Sequence, residues 1–360
     1  MAASGVEVTG QLPRVSVVMP VFNGAEYLEV ALESVLGQTL NDLELIVVDD
    51  GSTDASPEIL ERVATSDARV RVVHNRGNSG IVVALNNGWR LARSPYVARM
   101  DADDVALPDR LERQVGFLDA HPEVAAVGGA VTIVDARGLR GTTVTYPRSS
   151  AAIRRTLPRY NCFAHSAVTI RRAALEAVGG YRYDHVEDYD LWLRLDERFE
   201  LANLQEVVLL YRRHIRQVSF RAVEEQARRT LAVQRAARIR RATGRDPLDS
   251  GAEIGGAVLE RLGVRPREVA AAVEEEWVSW ATMLDAVGEQ DAADAVVRRA
   301  EAAGADRVRA SIAATRDLRV ARSYLRQRRI VRAVVHVVRA AIRDPAMTLS
   351  RLQRYRAFRF

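Results

Sequence analysis

The sequence lacks several features that define particular protein classes. Its 360 residues include one cysteine, Cys162, so an intramolecular disulfide is excluded and a reducing, cytoplasmic setting is favoured. No apolar run approaches the length of a membrane span, and residues 1–11 lack the basic start and apolar stretch of a signal peptide. Lysine is absent, which together with abundant alanine and valine indicates a compositional bias of the genome. We therefore expect a soluble chain without a signal peptide.

The apolar content of 48% is enough for a sizeable core, and the length exceeds the usual size of one domain. In the first hundred residues, segments typical of buried strands alternate with segments of helical periodicity. This alternation predicts an α/β fold with a parallel sheet and helices on both faces. Strand patterns lie at 15–19, 43–48, 70–73 and 96–100, with two further strands predicted at 124–128 and 130–134.

Acidic residues follow two of these strands. Asp49 and Asp50 end the second, and the run Arg-Met-Asp-Ala-Asp-Asp at 99–104 ends the fourth. Asp101 and Asp103 are two residues apart, which leaves both carboxylates on one side of an extended backbone. Hard oxygen ligands paired in this way suit Mg²⁺ or Mn²⁺. The alternative is that these acids only cap the helix that starts near residue 108.

Two more polar clusters follow strands of the same predicted sheet. Asn23 comes after the first strand, and a loop rich in glycine and asparagine, 75–80, comes after the third. In parallel sheets, ligands bind beyond the carboxyl ends of the strands, where all four clusters are expected to meet. Their convergence predicts a nucleotide site that includes a divalent cation.

From about residue 222 the pattern is wholly helical, and stretches 276–300 and 320–341 resemble tetratricopeptide-type hairpins. Arginine recurs through 316–360, where it forms either a solvated helix face, a contact with anionic membrane, or a nucleic-acid surface, in that order of preference. A nucleic-acid partner is not expected because aromatic residues are sparse through 316–345. An apolar stripe in this segment, flanked by arginines, suits either the membrane or a neighbouring helix: Val331, Val334, Val335 and Val338.

Taken in order, these motifs resemble the family 2 glycosyltransferases, which are inverting enzymes with the GT-A nucleotide-sugar fold. The matching segments are 19–23, 47–54, 78–80, 85–86, 98–104, 107–111, 179–181, 187–192 and 211–214. The chain departs from the family at Phe22, where tyrosine is frequent, and at Leu85, where arginine is frequent. The resemblance implies a GT-A domain at 13–220. The sequence pattern outside it predicts a flexible tail at 1–12, a helical linker at 221–250 and a helical domain at 251–360.

The resemblance also implies roles for individual residues. Asp50 would accept a hydrogen bond from a uracil-type imide, and Asp101 would lie either close to the ribose or behind the direct metal ligand. Asp103 would ligate the metal, His214 would complete the metal sphere or bind phosphate, and Asp104 is expected to cap the next helix. The remaining residues assigned to the nucleotide-sugar pocket are Pro20, Val21, Phe22, Asn23, Gly80 and Asn86.

Asp188 is the predicted general base, because an inverting displacement needs one carboxylate on the acceptor side to take the hydroxyl proton. We expect Glu187 beside it to repel its charge and raise its pKa. The alternative is that both are acids placed at a helix N-terminus by the helix dipole.

The expected function is a hexosyltransferase that uses Mg²⁺ or Mn²⁺ to move a sugar from a nucleoside diphosphate. UDP is the favoured nucleotide, and the acceptor is a hydroxyl of a cell-surface glycan or a lipid-linked precursor. The expected location is the cytoplasm or the inner face of the membrane. The alternative is a catalytically silent nucleotide-sugar sensor or scaffold, against which Asp188 argues. A sugar-phosphate nucleotidyltransferase is disfavoured because residues 20–23 do not form a glycine- and arginine-rich phosphate loop.

Overall fold

The computed structural model describes residues 12–214, 217, 220, 222–248, 253–286, 288–305, 307–326, 329–345 and 348–349. They fall into two compact units. The first comprises the described residues up to 134 together with those of 142–212 and 233–253, and the second those of 135–141, 213–232 and 254–360. Apart from Leu12, the tail predicted to be flexible lies outside the described residues. The predicted domain limits and the tetratricopeptide resemblance stay predictions.

Nine strands of the described residues form one mixed sheet in the order β3-β2-β1-β4-β8-β6-β9-β5, with β7 paired to β6. The strands are β1 Val15–Val21, β2 Leu43–Asp49, β3 Val70–His74, β4 Tyr96–Arg99, β5 Val105–Ala106, β6 Val124–Val134, β7 Arg140–Val144, β8 Thr169–Arg171 and β9 Glu200–Arg212. The first four are mutually parallel, β8 is antiparallel to its neighbours β4 and β6, and β9 is parallel to β6.

The register brings the ends of the parallel strands into one row. Val21 of β1 is opposite Asp49 of β2, and Asp49 is opposite His74 of β3. All seven residues of β1 and of β2 are buried, as expected for strands covered on both faces. The carboxyl ends of these strands therefore share one edge, where the polar clusters were predicted to meet.

The helices of the first part of the chain are α1 Ala25–Leu36, α2 Ser56–Ser66, α3 Ile81–Leu91, α4 Arg110–Ala120, α5 Ser150–Thr156, α6 Arg172–Val178 and α7 Glu187–Asp196. Helix α1 buries Leu28, Ala31, Leu32 and Val35, the helical spacing that indicates one core-facing side. Helix α3 lies close to the sheet at Gly88, where an added Cβ would meet Val18 Cγ1 at 2.4 Å.

One long strand replaces the two predicted at 124–128 and 130–134. Strand β6 runs through both segments, and its register against β9 shifts at Gly128 and Gly129. A Cβ on Gly129 would lie 2.5 Å from Val208 Cγ2. The glycines therefore mark a bulge within a strand rather than a break between strands. Strand β9 itself was not predicted.

The helical character predicted for the C-terminal region is confirmed. It contains α8 Val223–Thr243, α9 Gly256–Arg261, α10 Pro266–Ala286, α11 Gln290–Ala302, α12 Val308–Arg326 and α13 Ile330–Arg343. The second unit has its own core, in which Trp277 and Trp280 of α10 pack with Val296 of α11 and Ile312 of α12. Among the described helices, none combines the length and apolar character needed to cross a membrane.

Candidate functional site

Three acidic side chains meet at the carboxyl end of β4. Oxygens of Asp101, Asp103 and Asp104 all lie within 4.8 Å of one another. Asp101 forms an ion pair with Arg99, whose side chain is almost fully buried. A set of three carboxylates is a donor set that suits Mg²⁺ or Mn²⁺, so the residues present fit the predicted cation.

The pKa values of Asp101 and Asp104 reflect their burial. Burial raises the pKa of Asp101, and the charge of Asp103 raises it further, while Arg99 opposes the shift. Burial and the charges of the other two carboxylates raise the pKa of Asp104 well above its usual range. Burial also lowers the pKa of Arg110 to about 9, although the charges of Asp104 and Asp101 oppose this shift. The cluster would gain stability from an added positive charge.

Asp104 does not cap the next helix, contrary to the prediction. Helix α4 begins at Arg110 after the N-cap position Asp109. Asp104 Oδ1 instead accepts a hydrogen bond of 2.8 Å from the backbone N–H of Arg212, at the end of β9. Arg212 Nε donates to the carbonyl of Asp103 at 2.8 Å. The prediction was wrong because β9 lies about a hundred residues away in sequence and only tertiary folding brings it here.

Asp50 organises the loop that follows β3. Its carboxylate accepts hydrogen bonds from Asn75 Nδ2 at 2.7 Å, Ser79 N at 3.0 Å and Gly80 N at 2.8 Å. Asp49 accepts from Ser52 N at 3.0 Å and contacts His74 Nδ1 at 3.0 Å. The two neighbouring acids therefore order two different loops, and the contact predicted between Asp50 and a base stays a prediction.

The segment after β1 divides into buried and exposed residues. Pro20 and Val21 are buried within β1, whereas Phe22 is 44% exposed. Asn23 has a left-handed backbone with φ 52°, and its Oδ1 accepts a hydrogen bond from Thr53 N at 2.7 Å. Of the four residues assigned to the base and ribose pocket, the last two present their side chains at the surface.

Asn86 connects α3 to the turn at 179–181. Its Nδ2 donates to the carbonyl of Tyr181 at 2.9 Å, and its Oδ1 accepts from Tyr181 N at 3.0 Å and from Trp89 Nε1 at 2.8 Å. Gly180 has φ 75°, and a Cβ there would lie 2.5 Å from Asn86 Oδ1. The asparagine thus holds the turn in place, and its predicted contact with the donor is still a prediction.

The predicted base lies in the first turn of α7. Asp188 Oδ2 accepts a hydrogen bond from Asn161 Nδ2 at 2.8 Å, and its Oδ1 accepts from Tyr189 N at 2.6 Å. Burial raises the pKa of Asp188, although both hydrogen bonds favour the charged form. Burial and the charge of Asp188 raise the pKa of Glu187 to about 8. Burial is therefore the main cause of both shifts, whereas the sequence suggested repulsion between the neighbours.

Arg99 acts electrostatically on both acidic groups. Its charge opposes the rise in the pKa of Asp101 in the triplet and also the rise in the pKa of Asp188. Together with burial, it holds the pKa of His165 well below the usual range, so this imidazole is neutral. Sequence reasoning assigned no role to Arg99, although its position directly before the acidic run was visible. His214 belongs to the second unit, and its predicted role stays a prediction.

Known proteins are similar to this chain in sequence. The family model described as glycosyl transferase family 2 matches residues 16–179. The putative glycosyltransferase EpsE of Bacillus subtilis (strain 168) is 35% identical over 203 residues, which cover 54% of this chain and 72% of that protein. This chain belongs to glycosyltransferase family 2. The amylovoran biosynthesis glycosyltransferase AmsE of Erwinia amylovora is 36% identical over 192 residues, which cover 52% of this chain and 71% of AmsE.

Solved structures share the fold of this family 2 glycosyltransferase. Residues 1–349 of S. aureus TarS in complex with UDP-GlcNAc align with a TM-score of 0.53 at 17% identity, covering 92% of each chain. The mannosyltransferase PcManGT from Pyrobaculum calidifontis, in complex with GDP-Man and Mn²⁺, aligns with a TM-score of 0.51 at 21% identity, covering 93% of this chain and 88% of that one. The GT-A-type α/β fold expected from the sequence is confirmed.

Proposed function

We propose that this glycosyltransferase moves a hexose-type sugar, with inversion, from a UDP-sugar to a hydroxyl group. The proposal rests on one arrangement: three carboxylates lie within 4.8 Å of one another at the end of β4, and the charge of Arg99, which pairs with Asp101, also acts on Asp188. The three carboxylates suit a diphosphate with its cation, and Asp188 suits an incoming acceptor. An enzyme that joins these two substrates needs both groups in one site.

Asp103 is proposed as the direct metal ligand, with Asp101 turned to the ribose and Asp104 holding the loop. A bound Mg²⁺ or Mn²⁺ would balance the charge that develops on a diphosphate leaving group. The ion pair between Arg99 and Asp101 orients the first carboxylate of the motif. The bond from Arg212 to the carbonyl of Asp103 fixes the backbone of the second. The complex of PcManGT with GDP-Man and Mn²⁺ supports the choice of a divalent cation.

Asp188 is proposed to accept the proton of the acceptor hydroxyl. Asn161 Nδ2 and Tyr189 N each donate to one of its oxygens, which orients the carboxylate. Burial raises its pKa and so makes it a stronger base than an exposed aspartate. With a pKa of about 8, Glu187 carries the proton of the pair at neutral pH. The hydrogen bonds from Asn161 and Tyr189 favour the charged form of Asp188, which is the form that a base needs.

UDP is the preferred donor nucleotide in this proposal because TarS, which shares the fold, was crystallised with UDP-GlcNAc. The GDP-Man of PcManGT indicates that the fold by itself leaves the nucleotide open. The name of AmsE, an amylovoran biosynthesis glycosyltransferase, supports a cell-surface polysaccharide as acceptor. A lipid-linked precursor would present the same hydroxyl chemistry.

The test combines donor binding with turnover. Thermal shift of the full chain with UDP-Glc, UDP-GlcNAc, UDP-Gal and GDP-Man, each with and without Mn²⁺, identifies the donor, since a bound ligand raises the Tm by mass action. Single-turnover transfer with that donor then compares Asp103→Ala, Asp188→Asn and the control Asp42→Asn, which changes an exposed carboxylate.

We expect Asp103→Ala to lose the Mn²⁺-dependent shift. Asp188→Asn should keep donor binding but slow transfer by about 10²–10⁴-fold, the usual contribution of a general base. The control should match the wild type. Donor binding without any turnover by the wild type would support the sensor alternative, and wild-type rates in both site variants would exclude the proposed mechanism.

A further inference from the structure

Helix α13, Ile330–Arg343, carries a set of apolar side chains that face outward. Val331 is 79% exposed and Ile342 is 76% exposed, fractions that are unusual for large aliphatic residues in a folded helix. The other members of this apolar face are Ile330, Val334, Val335 and Val338, each at least 45% exposed. A cluster of exposed apolar side chains on one helix face indicates an interaction surface.

The opposite side of α13 is the one that packs within the protein. Ala333 and Ala340 are buried there. His336 Nδ1 lies 2.8 Å from Asp317 Oδ1 on α12, and Arg343 Nη1 lies 2.9 Å from Asp317 Oδ2. These contacts fix the rotation of α13 about its axis, so the apolar face is turned away from α12 by the packing itself.

The charges beside the apolar face have one sign. At about 100° per residue, Val331, Val334, Val335, Val338 and Ile342 fall within an arc of about 100°, and Arg332 and Arg339 follow along one flank. The sequence of α13 contains no aspartate or glutamate, and four more arginines and three aromatic residues occur at 351–360. A surface that is both apolar and cationic is complementary to a surface in which an apolar layer lies beneath an anionic layer.

We propose that α13 docks on anionic phospholipid, with its apolar face in the acyl boundary and its arginines at the headgroups. The helix would lie in the plane of the interface, since its fourteen residues are too few to span a bilayer. Docking on phospholipid is a property separate from sugar transfer, and it does not depend on the donor or acceptor proposed above. It would hold the enzyme at a membrane surface whatever the acceptor.

Flotation of the full chain with vesicles tests the proposal, using phosphatidylcholine alone and phosphatidylcholine with about 30 mol % phosphatidylserine. We expect binding to the anionic vesicles that weakens as salt is raised. Arg332→Gln/Arg339→Gln should reduce the partition coefficient about 25-fold, since each arginine near the surface contributes about fivefold. The matched control Arg267→Gln/Arg298→Gln makes the same charge change at exposed positions of α10 and α11 and should bind as the wild type does.

The apolar contribution is tested with Val334→Gln/Val338→Gln, which keeps or improves helix propensity. Binding should fall about tenfold or more, whereas Val30→Gln/Val320→Gln, at exposed valines of α1 and α12, should leave it unchanged. Equal binding by every variant, or no binding by the wild type, would overturn the proposal. So would a dimer in sedimentation velocity that the Val334/Val338 variant dissociates while vesicle binding is absent, because the face would then join two copies.

Discussion

Replacing Asp190 with asparagine should strongly destabilise the first unit, although the two side chains have nearly the same volume. Asp190 lies in α7, two residues after Asp188, and is fully buried. Its carboxylate pairs with Arg182 Nη2 at 2.7 Å and with Arg194 Nε at 2.9 Å. The substitution removes the negative charge between two largely buried guanidinium groups, of which Arg182 keeps a second partner, Asp246 Oδ2 at 2.8 Å.

The size of the effect follows from this burial. Removing one partner of a buried ion pair costs about 3–5 kcal/mol, because the remaining charge has lost its solvation and its partner. For a unit of this size, each kcal/mol lowers the Tm by about 2–4 °C. We therefore expect Asp190→Asn to lower the Tm of the first unit by about 6–20 °C.

Calorimetry of the full chain provides the measurement, with Glu176→Gln as the control. Glu176 pairs with Arg172 at 2.9 Å, but both side chains are at least 40% exposed, so its loss should cost about 0.5 kcal/mol or less. A fall in the Tm of less than about 2 °C for Asp190→Asn would refute the reasoning, because the buried network would then contribute no more than a surface pair.

Three other predictions concern the site. Transfer should decline as the pH falls through the raised pKa of Asp188, and Asn161→Ala, which removes a donor to its charged form, should move that acid limb to higher pH in kcat profiles. Gly180→Ala should lower the free energy of unfolding, measured in urea, by about 1–3 kcal/mol more than Gly179→Ala does. Both glycines have positive φ, but of the two only Gly180 has atoms within 4 Å of an added Cβ. Equal costs would contradict this. Asp50→Asn should speed amide exchange in the 75–80 loop about tenfold or more, because it replaces an acceptor of backbone N–H groups; unchanged exchange would show that other contacts hold the loop.

Much of the first half of the fold could be predicted because its signals are local. The parallel strands β1 to β4 are short apolar runs, and each ends at a polar cluster that the sequence displays directly. In a parallel sheet, strands that share a direction also share a carboxyl edge, so the meeting of the polar clusters at one edge followed from the alternation alone. The acidic run at 99–104 and the pair Glu187 and Asp188 were visible for the same reason.

Contacts between distant segments could not be predicted in this way. The partner of Asp104 is the backbone of Arg212, on a strand that lies between β6 and β5 near one end of the sheet. The glycines of β6 resemble a break in sequence, yet they form a bulge because two side chains of β9 occupy the space beside them, Asn203 at Gly128 and Val208 at Gly129. Both errors arose where a local pattern was overruled by a neighbour distant along the chain.

The sequence by itself determined that this chain folds as a family 2 glycosyltransferase with acidic motifs at strand ends, since strand periodicity and motif order are properties of short segments. Only the tertiary structure decided how those acids titrate and what they hold. The pKa values of Asp101, Asp188 and Glu187 depend on burial and on the position of Arg99. Burial and distance are set by packing between elements far apart in the chain, and no local pattern encodes them.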